Sequence, residues 1–487
     1  MAQHLERPLG RGHMPDGAST GAAGGAACGD LVRISLAIDP SCPEGRIADA
    51  GFDASGCGAT VAAGSAAVSL LRGVPLLQAA SIGAEEIVRE LGGLSVAKRH
   101  AAELAADALH RALGSAVRGS AALAPVADRT LVAMSGGVDS AVAALLVAQE
   151  GIEAVGVTLE LWSDPENDGE ASCCSAQAVR GAREVAHGLG MPHLSIDLRA
   201  EFRAGVVDHW LSDHAAGLTP NPCVRCNGNV RLDAMLELAC RLGSQTLATG
   251  HYARITEDPP AQGGRDPLLR MAADVGKDQS YVLSALSPES LARLRFPLGA
   301  MRKPQVREIA RHAGLSVARK PDSQDLCFLA GTRHSDFLER HGGLGARPGP
   351  IVDLQGTVLG AHRGAHSYTV GQRHGLGIGS TGVGGPLYVL ATDTESNTVT
   401  VGPRSSLLLE SLPIRELTLH RHGACVDGVR VRSHGRRFPC RIERDLAVGR
   451  HARASIALGE PAERTAPGQL ACLYVGDVVV GHGTITA

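Results

Sequence analysis

The sequence predicts an α/β protein. A parallel-sheet domain occupies the middle of the chain, a small α+β domain stands in front of it, and a small β-rich domain and a β-barrel follow. Three observations predict this. Between Arg129 and Leu242, short apolar runs alternate with helical patterns, which is how strand–helix–strand units of a parallel sheet read. Ahead of them lie strand-like runs, the first alternating apolar and polar residues, and a series of helical stretches. Beyond Gly349 the pattern turns β-rich with glycine turns, and after Ser411 the strands become short and evenly spaced, as in a barrel.

Bulk properties agree with several cores. A chain of 487 residues has room for about three domains. Its 44% hydrophobic and 20% charged residues are ordinary for globular structure. No apolar run reaches the roughly 18–20 residues of a membrane span. The first twenty residues hold no apolar stretch of the kind a signal peptide needs. Twelve cysteines in such a chain point to reduced thiols in the cytoplasm. A net charge of −3 gives no general support to a nucleic-acid partner, so that reading must rest on local charge.

Taken in order, residues 1–24 read as a disordered leader and 25–116 as the small α+β domain. Leu31–Ile38 alternates as a strand. A second strand-like run ends in Gly56-Cys57-Gly58-Ala59, and helical stretches follow over Thr60–Arg72, Ala84–Leu91 and Lys98–Leu113. The Cys28-Gly29-Asp30 run, the Gly56-Cys57-Gly58-Ala59 run and Lys98-Arg99-His100 resemble the iron–sulfur scaffold domain of the NifU/IscU family. The resemblance implies a site that holds a nascent cluster or zinc, or receives sulfur from a cysteine desulfurase. Its ligands here would be Cys28, Asp30, Cys57 and His100, types that zinc accepts. This chain departs from the family at Ala101, where a third cysteine is expected; iron–sulfur centres favour thiolates. A desulfurase-docking module or a purely structural domain are the competing readings.

Residues 117–128 read as a linker, and 129–333 as the parallel-sheet domain. Strands are expected at Leu131–Met134, Ala154–Leu161, His193–Leu198 and Thr246–Thr249, with helices over Asp139–Gln149, Ser175–Leu189 and Arg231–Leu242. The first strand ends in Ala133-Met134-Ser135-Gly136-Gly137-Val138-Asp139-Ser140. Two glycines allow a tight turn and a close ligand, and the helix start that follows offers free N–H groups to a phosphate. No Gly-Lys-Ser/Thr follows, so this is not the usual P-loop. It resembles the Ser-Gly-Gly-x-Asp-Ser loop of the PP-loop ATP pyrophosphatases (HUP-like), which cleave ATP to adenylate a substrate.

Four later segments carry a narrower resemblance. They are Thr219-Pro220-Asn221-Pro222-Cys223-Val224-Arg225-Cys226-Asn227, Ala248-Thr249-Gly250-His251-Tyr252-Ala253-Arg254, Lys277-Asp278-Gln279-Ser280-Tyr281 and Asp322-Ser323-Gln324-Asp325-Leu326-Cys327-Phe328. With the opening loop they resemble the tRNA 2-thiouridylases of the MnmA/TrmU family, from Thr130 to the C-terminus. The resemblance implies thiolation of the wobble uridine of tRNA with ATP and Mg²⁺. It makes Cys327 the persulfide carrier and Cys226 its catalytic partner. ATP contacts would fall on Ala133, Met134, Ser135, Gly136, Gly137, Val138, Asp139, Ser140, Leu159 and Gly250. Contacts to the target base would come from Asn221, Pro222 and Cys223, and other tRNA contacts from His251, Lys277, Asp278, Gln279, Arg432, Ser433 and Gln469. Cys223 stands where many relatives carry Asp. A Cys-x-x-Cys turn is also a metal half-site, so an iron–sulfur-dependent thiolase remains an alternative, as does a scaffold protein recruited to RNA. Cys173-Cys174 is a candidate companion for such a half-site.

Residues 334–408 form the expected β-rich central domain and 409–487 the barrel. Between Arg415 and Arg453 the chain carries ten Arg against four acids, a balance of +6. Arginine suits phosphate and stacked bases, so the barrel is expected to hold an RNA backbone.

Overall fold

The computed structural model describes residues 1–24, 29–119, 121–164, 175–256, 267–322, 326–378 and 385–486. Two compact units make up the chain. The first is Met1–Arg199, Ala234–His251 and Arg293–Ala330, and the second is Ala200–Asp233, Tyr252–Ala292 and Gly331–Ala487.

In the first unit, β1 (Ser19–Gly24), β2 (Leu31–Ile38) and β3 (Ile47–Ser55) form an antiparallel sheet in that order. Val32, Ile34 and Leu36 of β2 are fully buried, as the alternation predicts. Residues 1–24, expected as a disordered leader, instead carry α1 (Ala2–Glu6) and β1. The reason they read as disordered is packing by small residues. A Cβ at Gly21 would overlap the backbone of Ala108 and Ala112, so this strand can carry no large apolar pattern.

The helices α2 (Gly58–Ser69), α3 (Leu76–Ala79), α4 (Ala84–Glu90) and α5 (Arg99–Gly119) complete this part. The last runs six residues beyond its expected end at Leu113, into the stretch read as linker. The parallel sheet contains β4 (Arg129–Ala133), β5 (Glu153–Glu160), β6 (His193–Asp197), β7 (Thr246–Ala248) and a short strand at Leu294–Arg295. Their order is Leu294–Arg295, β7, β4, β5, β6, and every pairing is parallel. Every residue of β4 is buried, as in a sheet covered on both faces. The helices α6 (Val138–Gln149) and α7 (Ala176–Gly188) pack here, where Ala141, Ala144, Val147, Ala182 and Ala186 meet Val132 and Met134.

Helix α5 packs against both sheets, on β1 and β2 on one side and on β6 on the other. A Cβ at Gly114 would overlap the Ser195 carbonyl oxygen of β6. Gly114→Ala is therefore expected to cost about 2–3 kcal/mol through overpacking. Gly119→Ala on the same helix, where a Cβ meets nothing within 4 Å, should be near neutral. Equal melting points for the two variants would refute the close approach.

The second unit holds a four-stranded sheet, Gly349–Val352, Val358–His362, Tyr388–Asp393 and Thr398–Gly402. Its other sheet closes on itself. Leu408–Leu419 pairs with both Gly449–Glu463 and Val478–Ile485, and Phe438–Ile442, Gly428–Arg430 and Leu470–Val475 complete the ring. Leu412, Ile414, Leu417, Val429, Ile456 and Leu473 fill this barrel.

Candidate functional site

The nucleotide-type loop joins β4, the middle strand of the parallel sheet, to α6. The chain places β5 and β6 on one side of β4 and β7 on the other, so the loop lies at a switch in strand order, where such sheets bind ligands. Gly136 has φ +68° and a Cβ there would lie 2.5 Å from the Ala178 carbonyl oxygen, which only glycine tolerates. The Ser140 hydroxyl accepts from the Ser135 amide at 3.1 Å and donates to the Gly137 carbonyl at 3.1 Å. Gly250 approaches the same turn, since its Cβ would stand 2.7 Å from the Ser140 nitrogen. Ala133, Met134 and Val138 are buried beneath the turn, and Leu159 is buried near the end of β5.

Two lysines that sequence reasoning missed reach this loop. Lys303 is buried and donates to both carboxylate oxygens of Asp139 at 2.8 Å. It also pairs with Asp322 at 2.8 Å, and Arg307 meets the same Asp322 oxygen at 2.7 Å. Lys320 donates to the Gly136 carbonyl at 2.9 Å. The only sequence signal was the position of Lys320, two residues before the Asp322-to-Cys327 motif.

The thiols occupy different settings. Asn221 caps a short helix, accepting from the Cys223 amide at 3.0 Å, with Pro222 in its first turn. Burial pushes the Cys223 thiol up, opposed by Arg231. Cys226 is buried and opens a π-helical turn, Cys226–Arg231, a form that recurs at functional sites. Cys327 is half-buried. Its neighbour Phe328 is buried and meets the Trp162 ring edge-on at 6.4 Å. Cys327 belongs to the first unit and Cys226 to the second. Ser323, Gln324, Asp325 and the Cys173-Cys174 pair lie outside the described residues.

Within the second unit, Pro220 and Asn221 line a cleft with Arg225, Arg415, Arg450 and His451. Gln469 donates to the Thr219 carbonyl and so steadies the Asn221 segment. Arg432 is exposed and Ser433 half-buried in the turn after Gly428–Arg430. Asp278, expected at the RNA, is buried in the interior. Its carboxylate accepts from Arg430 at 2.7 Å, the Ser280 hydroxyl at 2.8 Å and the Ala272 amide at 2.8 Å. Arg430 is thereby withdrawn from the basic set. Gln279 accepts from the Tyr252 amide at 2.9 Å, while Lys277 is half-exposed. His251, in the first unit, is buried, with Nδ1 at 2.8 Å from the Thr249 hydroxyl.

At the front of the chain, Asp30, Cys57 and His100 offer ligand atoms that all lie within 4.8 Å of one another. The Thr60 hydroxyl holds the Asp30 carboxyl below its usual range, with help from the Cys57 amide and His100 and against the effect of burial. Cys28 lies outside the described residues. Ala101, at the place of the missing thiol, is fully buried. A thiolate, an imidazole and a carboxylate are all ligand types that zinc accepts.

Four family descriptions match successive parts of the chain. They are "NifU-like N terminal domain" over 1–118, "tRNA methyl transferase HUP domain" over 128–331, "tRNA methyl transferase PRC-barrel domain" over 335–403 and "Aminomethyltransferase beta-barrel domain" over 416–485. A "Bifunctional protein NifU/MnmA" of Rubrobacter xylanophilus is 42% identical, covering 99% of this chain and 97% of that protein. "tRNA-specific 2-thiouridylase MnmA" of Geobacter metallireducens is 42% identical over 74% of this chain and 97% of its own length. The protein of the same name from Thermobifida fusca is 44% identical over 73% and 95%.

Proposed function

Because the chain belongs to the MnmA family of tRNA-specific 2-thiouridylases, in its bifunctional NifU/MnmA form, we propose that it replaces the C2 oxygen of the tRNA wobble uridine with sulfur at the expense of ATP. The observation that carries this reading is the match along almost the whole chain to a bifunctional NifU/MnmA protein. The Ser135–Ser140 loop at the strand-order switch fits the ATP half of the reaction.

The chemistry explains the residue types. Uracil O2 is a poor leaving group, so it attacks the α-phosphorus of ATP and pyrophosphate departs. Cys327 carries a persulfide. The Cys226 thiolate attacks the Cys327 sulfur, a Cys226–Cys327 disulfide forms, and the released sulfur adds to C2. AMP then leaves with the former O2, and a dithiol reductant restores both cysteines. Mg²⁺ would sit beside Asp139, and a cysteine desulfurase or another persulfide donor would load the sulfur. Cytoplasmic placement fits the free thiols, and no helix among the described residues is long and apolar enough to cross a membrane.

The test is nucleoside mass spectrometry of tRNA from a deletion strain, paired with tRNA-stimulated AMP release by the pure protein. Retention of 2-thiouridine in that strain, or AMP release indifferent to tRNA, would overturn the reading. Arg415 and Arg450, in the cleft with Asn221, are expected to contact RNA phosphates. Converting both to Ala should weaken tRNA binding and lower the salt slope by about 2; an unchanged slope removes the cleft from the RNA path. The front trio should hold about one zinc per chain, measured by elemental analysis after anaerobic purification. Cys57→Ser and His100→Ala should each lose it, and metal content equal to the parent's would exclude these ligands.

A further inference from the structure

The ion pairs around Lys303 connect two parts of the proposed reaction that the sequence keeps apart. On one side is Asp139, in the nucleotide loop; on the other is Asp322, five residues before Cys327. Lys303 holds both carboxylates at 2.8 Å. Lys320 adds a second tie between the same stretches, through the Gly136 carbonyl. On its far side Cys327 is followed by buried Phe328, set against Trp162 just beyond β5. Asp322, five residues before Cys327, and Phe328, directly after it, thus both make contacts that reach the proposed nucleotide-binding elements.

A metal–nucleotide entering Ser135–Ser140 brings a polyanion and a divalent cation. The cation competes with Lys303 for Asp139, because a hard cation takes carboxylate oxygens. The polyanion competes with both carboxylates for Lys303. Either exchange rearranges the Lys303–Asp322 pair, which stands five residues before Cys327.

We infer that Lys303 is a positioning residue that makes the setting of Cys327 depend on nucleotide at the Ser135–Ser140 loop. This rests on the ATP reading above. It adds an order to the reaction: the sulfur-bearing thiol changes its environment once ATP is in place. A persulfide exposed without an adenylated acceptor would be lost to stray thiols, and this pairing couples its setting to the acceptor's activation.

The test uses the full chain and α,β-methylene-ATP with Mg²⁺, which cannot be cleaved between the α and β phosphates. The rate of Cys327 alkylation by iodoacetamide is followed by peptide mass spectrometry, with Cys57 as an internal reference. In the parent, the analogue should change the Cys327 rate roughly fivefold, an effect of the size typical for coupled sites, and leave Cys57 unchanged. In Lys303→Met the response should fall below about twofold at saturating analogue, whereas Lys303→Arg should retain it. Asp322→Asn, which leaves the Asp139 pair in place, should lose the response too and covers the case that Lys303→Met does not fold. A full response in both Lys303→Met and Asp322→Asn, or none in the parent despite bound analogue, overturns the inference. A parent that binds no analogue at all overturns the ATP reading instead.

Discussion

Cys327→Ser is expected to abolish tRNA thiolation, by at least about a thousandfold, while tRNA-stimulated release of pyrophosphate survives within a few-fold. A hydroxyl cannot carry a persulfide, so sulfur transfer loses its donor, whereas the Ser135–Ser140 loop proposed to hold ATP is untouched. Cys226→Ser should give the same two results for a different reason: sulfur is loaded on Cys327 but is not released by disulfide formation. The two variants are told apart by mass. Treated with a persulfide donor, Cys226→Ser should accumulate a chain heavier by one sulfur at Cys327, and Cys327→Ser should not. Cys223→Ser is the contrast, since burial pushes the Cys223 thiol up and disfavours the thiolate that nucleophilic attack needs. It should retain most activity. If Cys223→Ser is as dead as Cys226→Ser, the Cys-x-x-Cys turn acts as a pair, and a metal half-site becomes the better account.

What could be read in the sequence was contiguous. Ser135–Ser140 is legible because a tight turn and a helix start are both local consequences of consecutive residues. The parallel sheet is legible because burial on both faces makes continuous apolar strands such as Leu131–Ala133. The ties that arm the site were not legible. Lys303 and Asp139 are 164 positions apart, and nothing in the Lys303 neighbourhood distinguishes it from a solvated helix-start lysine until the fold brings it to the loop. Asp278 shows the converse. Its motif marks it for RNA, yet Arg430, 152 positions away, claims its carboxylate in the interior. The front of the chain misled for a steric reason: in β1 a residue such as Gly21 is small because α5 lies directly on it. In each case the missing information was a distant partner, not a weak local signal.

A distant partner matters most at Asp107, whose substitution carries the largest expected effect on stability. Asp107 is buried on α5 and pairs with two arginines of α7: Arg183 at 2.8 Å, and Arg180 at 2.7 Å. Arg183 is itself buried. Removing the carboxylate leaves a guanidinium in low-dielectric surroundings with its charge uncompensated. Breaking a buried pair in this way costs about 3–5 kcal/mol, so Asp107→Ala should lower the melting point of the first unit by roughly 10 °C. Asp53→Ala is the control. Its partner Arg33 lies 3.1 Å away, but both side chains are largely exposed, and such pairs contribute about 1 kcal/mol or less. The comparison separates two pictures of the fused chain. If the front domain were only tethered, the contacts of α5 with α7 and β6 would be incidental and the two variants would melt alike. If α5 is a structural member of the parallel-sheet domain, Asp107→Ala melts well below Asp53→Ala, and Asp107→Ala combined with Arg183→Met, which removes the stranded charge as well, recovers part of the loss.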